Sequence, residues 1–181
     1  MSWQQRSSRE IYRNAWISVR EDAVVRPDGV PGTYGVVTVN RPAVFVVPVT
    51  EAGEVIMIRQ RRYTTGVDSL EVPGGGVDDD EPRVAAEREL REETGYAAGS
   101  WRDLGPVYSL NGVADAPGRV FLATDLTSVG GDEREVEGIS AVVALPFAEL
   151  LARIGRGEVT DNETLAALLL ALVALDRVRG A

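Results

Sequence analysis

The chain has 181 residues, 44% of them hydrophobic, enough for one domain with a sizeable core. It contains no cysteine and no histidine, which excludes disulfides, thiolate or imidazole metal sites and histidine-based triads, and leaves carboxylates as the proton-transfer groups. A formal net charge of −9 argues against a nucleic-acid partner, because phosphate contacts call for Lys and Arg.

No run of 18 apolar residues suggests a membrane span. The polar start, Met1-Ser2-Trp3-Gln4-Gln5-Arg6, lacks the apolar stretch of a secretory leader, so the expected location is cytoplasmic. Residues 1–10 read as polar and loose. From Glu10 to Asn40 the pattern is strand-like: Ala15 to Arg20, Ala23 to Val25 and Thr33 to Val39 are extended candidates, and Arg26-Pro27-Asp28-Gly29 is turn chemistry. A small antiparallel sheet of this kind needs a partner surface, either its own domain or a second copy of the chain.

Ala43 to Val49 is a nearly continuous apolar run, expected as a strand buried on both faces. A hairpin turn at Glu51-Ala52-Gly53-Glu54 and a returning strand, Val55 to Ile58, follow it. Arg59, Arg61 and Arg62 come next, suited either to a solvated edge or to gripping phosphate or ribose groups. Ser69 to Val72 reads as a short strand delivering a glycine turn. Pro82 suits a first helical position, residues 83–94 are good helix formers, and Gly95 suits a left-handed stop. Leu104 to Leu110 and Arg119 to Thr124 read as strands joined by a polar loop, Asn111 to Gly118, bordering a pocket. Asp125 to Glu137 reads as an acidic loop and Ile139 to Leu145 as a strand. Pro146 opens a helix that ends at Gly155 or Gly157. Thr160-Asp161-Asn162-Glu163 resembles a capping box opening a last helix, with Leu165, Leu168, Leu169, Leu172 and Leu175 as its core stripe.

The chemistry concentrates between Gly74 and Tyr96. From Val77 to Glu93 there are eight acids and three arginines, net −5. At about 100° per residue, Glu89 and Glu93 sit one turn apart with Glu92 beside them, Ala86 and Leu90 form a core stripe, and Arg88 is spaced to pair with Glu92. Such a cluster is either a solvated acidic face or a seat for a hard cation, and hard cations prefer carboxylate and carbonyl oxygen. Glycines 74 to 76 allow close approach of backbone carbonyls.

This spacing resembles the Nudix box: Gly, five residues, Glu, seven residues, then Arg-Glu-apolar-x-Glu-Glu-x-Gly-apolar. Its second half matches throughout, at Arg88, Glu89, Leu90, Glu92, Glu93, Gly95 and Tyr96. In the first half, counting back from Arg88 puts Asp80 at the glutamate position and Gly74 at the glycine. With one residue deleted from the loop, the register preferred here, Gly75 is the pattern glycine and Glu81 supplies the displaced carboxylate. The N-terminal strands, Arg59-Gln60-Arg61-Arg62-Tyr63, Leu70-Glu71-Val72-Pro73-Gly74-Gly75 and Val159-Thr160-Asp161-Asn162-Glu163-Thr164 extend the likeness over nearly the whole chain. Order and spacing throughout resemble the ADP-ribose pyrophosphatase branch of the Nudix hydrolases.

The resemblance implies an α/β fold, an α/β/α sandwich around a mixed sheet with an N-terminal antiparallel subdomain. Residues 1–40 would dimerise and 41–181 would form the hydrolase domain. It implies Mg²⁺, with Mn²⁺ as substitute, held by Glu89, Glu92, Glu93 and the Gly74 carbonyl. Glu137 is implied as general base, Arg88 as the residue that orients the glutamates, and Arg62 as a substrate-gripping arginine that Arg61 could replace, with Glu71 beside them. The implied reaction is metal-dependent cleavage of a nucleoside diphosphate derivative, ADP-ribose to AMP and ribose 5-phosphate. Alternatives are another nucleoside diphosphate sugar, or a non-catalytic ADP-ribose sensor. Ala116 and Gly118 stand where relatives often carry larger polar residues. The implied partner is a second copy, through the N-terminal strands, with no nucleic acid and no membrane.

Overall fold

A computed structural model describes residues 2–178. In chain order its elements begin with β1 (Gln4–Arg13), β2 (Ile17–Val25), β3 (Pro31–Val39), β4 (Ala43–Pro48), β5 (Glu54–Arg61), β6 (Asp68–Glu71) and β7 (Gly74–Gly76). Helix α1 (Pro82–Thr94), β8 (Tyr96–Tyr108), β9 (Ala114–Asp115) and β10 (Pro117–Ser128) follow. The chain closes with α2 (Arg134–Glu137), β11 (Ile139–Pro146), α3 (Phe147–Gly155) and α4 (Asn162–Ala174). Among the described residues no helix is long and apolar enough to cross a membrane.

Two compact units divide the chain: residues up to Pro42 with Tyr108–Pro117, and Ala43–Val107 with the rest from Gly118. The first is the sheet β1-β2-β3-β9. Strands β1, β2 and β3 are antiparallel neighbours, and β9 adds in parallel through Val37 and Ala114. The expected turn forms at residues 26–30, where Arg26 N–H donates to the Val30 carbonyl and Gly29 takes φ +85°. Residues 4–13 form a strand rather than a loose end. Every residue of β1 is exposed, so no apolar alternation announced it, and its order comes from the ladder with β2. The Tyr34 hydroxyl donates to the Gly112 carbonyl at 2.6 Å, and Trp3 meets Tyr34 edge-on at 5.2 Å.

The second unit holds a mixed sheet, β7-β4-β10-β8, and an antiparallel sheet, β11-β5-β6. Strand β4 is central, antiparallel to β7 and parallel to β10. Its alternation serves two cores, as its apolar run foretells. Val44 and Val46 pack with Ala86 and Leu90 of α1 and with Phe121. Val47 faces the larger core, with Met57, Leu70, Leu122, Leu150 and Leu168. The turn after β4 closes as expected, with Gly53 at φ +79°, but β4 and β5 do not pair as a hairpin. They join different sheets and share only the isolated bridge Val49–Val55.

Helix α1 starts with Pro82 and stops at Gly95, whose φ of +74° lets its N–H return to the Arg91 carbonyl. In α4 the cap is Asp161, one residue beyond Thr160; its carboxylate accepts from Thr164 N–H at 2.8 Å. The apolar stripe of α4 is narrower than expected, because Leu169 is 56% exposed. Between residues 125 and 137, β10 runs on to Ser128 and α2 forms, where an unbroken loop was expected.

Candidate active site

Helix α1 packs Ala85, Ala86 and Leu90 against the mixed sheet, which carries Glu89 and Glu93 inward with them. Both carboxylates are buried. Glu93 accepts a hydrogen bond from Gly74 N–H at 2.7 Å. Strand β7 lies so close to α1 that a Cβ on Gly75 would fall 2.5 Å from the Glu89 carboxyl carbon. A Cβ on Gly74 would meet the Val44 carbonyl oxygen at 2.3 Å. Gly74 is therefore held to glycine by backbone, and a side chain at Gly75 would displace the Glu89 carboxylate.

Burial is the largest influence on both acids. It pushes the Glu89 carboxyl up and Glu93 up to about 8, with the charges of Glu89 and Glu137 adding to the Glu93 shift, while the Gly74 N–H and Arg62 oppose it. Two inward-facing acids held above their ordinary range, on a helix rich in carboxylates, call for a cation. Arg88 supplies part of that charge. Its guanidinium reaches Glu89 at 2.8 Å and Glu92 at 3.0 Å, donates to the Gly76 carbonyl at 2.8 Å, and lies 3.6 Å from Asp78 and 3.9 Å from Asp80.

Among the described residues no three acidic side chains are gathered in a ready-made metal cage; Arg88 lies among them. The donor chemistry nevertheless fits a hard divalent ion: the ligands are oxygen only, and two of them, Glu89 and Glu93, are buried and destabilised as anions in its absence. Glu89, Glu92 and Glu93 are the residues suited to hold it.

Glu137 ends α2. The segment before it is tied to the end of α1, with Val129 and Gly130 N–H donating to the Gly95 carbonyl and Glu133 N–H donating to the Glu92 carbonyl at 2.7 Å. This docking brings the Glu137 charge to bear on both Glu89 and Glu93. Residue spacing alone could not reveal the docking, since it depends on backbone groups.

Arg62 and Glu71 come together. Glu71, 3% exposed, receives Arg62 through two guanidinium nitrogens and Gln60 at 3.2 Å. Arg62 borders a cleft of about 450 Å³ that also takes in Gly74 and residues 160–163 at the start of α4. Arg61 stands apart, largely exposed and 3.3 Å from Asp68 on the neighbouring strand. Sequence reasoning missed Gln60, although strand alternation places it on the face of Arg62. It read residues 160–163 as a helix cap and as part of the family likeness, without placing them at the cleft.

This arrangement, a glycine strand against a glutamate helix at the edge of a mixed sheet, has known counterparts. Residues 39–168 match the family model described as the NUDIX domain, and residues 3–37 match that of the nucleoside diphosphate sugar hydrolase N-terminal domain. The chain belongs to the Nudix family of hydrolases. An ADP-ribose pyrophosphatase of Mycobacterium tuberculosis is 34% identical over 166 residues, 90% of this chain and 80% of the relative. A CMP-5'-(N-acetyl-N-hydroxy-3-aminopropyl)phosphonate hydrolase of Streptomyces rubellomurinus is 29% identical over 95% of this chain and 83% of the relative. The crystal structure of an ADP compounds hydrolase shares the fold, with a TM-score of 0.84 over 98% of both chains at 23% identity.

Proposed function

We propose that this protein cleaves the phosphoanhydride bond of a nucleoside diphosphate derivative in the cytoplasm, with ADP-ribose, split into AMP and ribose 5-phosphate, as the leading substrate. The observation that carries this reading is the pair of buried carboxylates, Glu89 and Glu93, on a helix whose spacing matches the box of the family. The ADP-ribose pyrophosphatase relative supports the choice of substrate.

Nudix hydrolases generally need a divalent metal; Glu89, Glu92, Glu93 and the Gly74 carbonyl would hold Mg²⁺, with Mn²⁺ as substitute, and the bound ion would supply positive charge to offset that of the diphosphate. The chain's own residues do the rest. Arg88 keeps Glu89 and Glu92 oriented, as its two short contacts indicate. Arg62, held from behind by Glu71, grips a phosphate oxygen; Arg61 is the weaker candidate because it pairs with Asp68. Glu137 takes the proton of the attacking water. Catalysis of this type is mostly positioning and charge stabilisation.

The test is a substrate panel with Mg²⁺ and a chelated control. ADP-ribose is expected to be hydrolysed fastest by kcat/KM, and only with metal. Faster turnover of a CMP conjugate or another nucleoside diphosphate sugar would move the assignment to the second reading, which the Streptomyces relative favours. No turnover of any diphosphate would overturn both.

Residues 1–40 are proposed as the dimerisation segment and 41–181 as the hydrolase domain. Supporting this, Ile11 and Tyr12 of β1 and Trp16 in the turn after it are more than half exposed, an apolar surface suited to a partner. Sedimentation equilibrium is expected to return twice the 19.5 kDa of one chain; a monomer at micromolar concentration would refute the dimer.

A further inference from the structure

Arg88 stands between two sets of acids and is held closely by only one of them. Its Nη1 atom meets Glu89 at 2.8 Å and Glu92 at 3.0 Å. Its other two nitrogens face the turn after β7. Nη2 donates to the Gly76 carbonyl at 2.8 Å and lies 3.6 Å from Asp78, while Nε lies 3.9 Å from Asp80. The last two separations exceed hydrogen-bond length, and a shift of about 1 Å towards the turn would bring both aspartates within it.

The turn is fixed in place beside α1. Val77 is buried in one core with Ala85, Ala86 and Leu90. Asp80 N–H donates to the Val77 carbonyl at 3.1 Å. Asp78 takes φ +52°, a left-handed backbone that aspartate tolerates better than most residues. The register preferred from spacing assigns the displaced loop carboxylate to Glu81. In the structure Glu81 is exposed and its side chain makes no cap bond to α1. Among the described residues Arg88 pairs with Asp78 and Asp80 in this loop, not with Glu81.

We propose that Asp78 and Asp80 are positioning residues of the metal site, which draw the Arg88 guanidinium off Glu89 when a divalent ion binds. In the metal-free protein Arg88 is the cation between Glu89 and Glu92 and offsets their repulsion. An ion seated on the same carboxylates sets a second positive charge close to the first, and the two repel. Arginine cannot shed its charge, so it moves towards other anions. Both aspartates lie along the edge of the guanidinium that Glu89 and Glu92 leave open. This inference rests on the metal-dependent reading above and adds how Arg88 yields its place to the ion.

The test is titration calorimetry with Mn²⁺, which reads the ion and not turnover. The double variant Asp78→Asn, Asp80→Asn is expected to bind Mn²⁺ about tenfold more weakly than wild type, the scale of losing a ligand's outer support. Glu81→Gln is expected to match wild type. Added to Arg88→Gln, the same two aspartate changes are expected to cost less than about twofold, because no guanidinium is left to draw away. Arg88→Met, which also removes the charge, repeats this comparison if Arg88→Gln does not fold. An equal loss with and without Arg88 would mean that the aspartates act on the ion directly. No loss in the double variant, or the same loss in Glu81→Gln, would overturn the assignment as well. The melting midpoint of the double variant in EDTA is expected to stay near the wild-type value, since exposed ion pairs contribute little; a large fall would give the aspartates a structural role instead. If wild type binds Mn²⁺ and the aspartates prove irrelevant, only this inference falls. If wild type binds no Mn²⁺, the metal-dependent reading falls with it.

Discussion

Glu93→Gln is expected to lower kcat with ADP-ribose by roughly 10²–10³-fold, the scale seen when one preorganised electrostatic group is lost from a closed site. The fold should survive. Glu93 is buried and, without a bound cation, its carboxyl is held up to about 8, so at neutral pH it is largely a neutral acid that glutamine mimics in shape. Stability should show the same group from the other side. In metal-free protein the folded chain keeps a Glu93 proton that the unfolded chain releases near the ordinary value of 4.5. Its stabilising contribution is complete below pH 4.5 and is lost as the pH rises towards about 8. Glu89 is shifted in the same direction. The melting midpoint in EDTA should therefore fall between pH 5 and 8 in wild type and fall less in Glu93→Gln, whose amide does not ionise. Saturating Mg²⁺ should raise the wild-type midpoint at pH 8, since it binds the folded chain. Full activity in the variant would remove Glu93 from the metal site.

The second large effect separates two neighbouring glycines. Gly75→Ala puts a methyl group 2.5 Å from the Glu89 carboxyl. The end of a side chain can yield, but only by leaving Arg88. A fall in kcat/KM of about 10–100-fold is expected, the scale of disturbing a ligand's support, with little change in the urea midpoint. Gly74→Ala instead drives its methyl to 2.3 Å from the Val44 carbonyl oxygen, within the β4–β7 ladder. Backbone there cannot yield without parting the strands, so a loss of about 1–3 kcal/mol in stability is expected, as for overpacking. Urea unfolding measured beside steady-state kinetics distinguishes the two. Wild-type activity in Gly75→Ala would show that the position of Glu89 does not matter.

Local chemistry made α1 legible from its residues alone. Pro82 starts it, Gly95 stops it, Ala86 and Leu90 face the core, and Arg88 pairs with Glu92, because each of these depends on near neighbours along one helix. Helical spacing also grouped Glu89, Glu92 and Glu93, but not their difference: 89 and 93 are buried, while Glu92 is partly exposed beside Arg88. That difference comes from the approach of β7, a contact between elements. Strand β1 was hidden for a similar reason. Its pattern carries no buried face, and only the ladder with β2 orders it. The early start of β8 at Tyr96, directly after the helix stop, and the separate destinations of β4 and β5 depend on long-range pairing, which periodicity in a short window does not encode. At the site, the box was readable as a motif. The pairing of Arg62 with Glu71 needed the register of two strands.

Strand β9 lies between β8 and β10 in the chain yet completes the sheet begun by β1, β2 and β3. On the ribosome, the leading sheet must wait for its last strand until more than half the polypeptide has been made. For recombination the same interleaving sets a rule. A chimera spliced once at residue 42 draws three strands of that sheet from one parent and the fourth from the other, so an intact exchange between homologues needs two crossovers more, flanking residues 108–117.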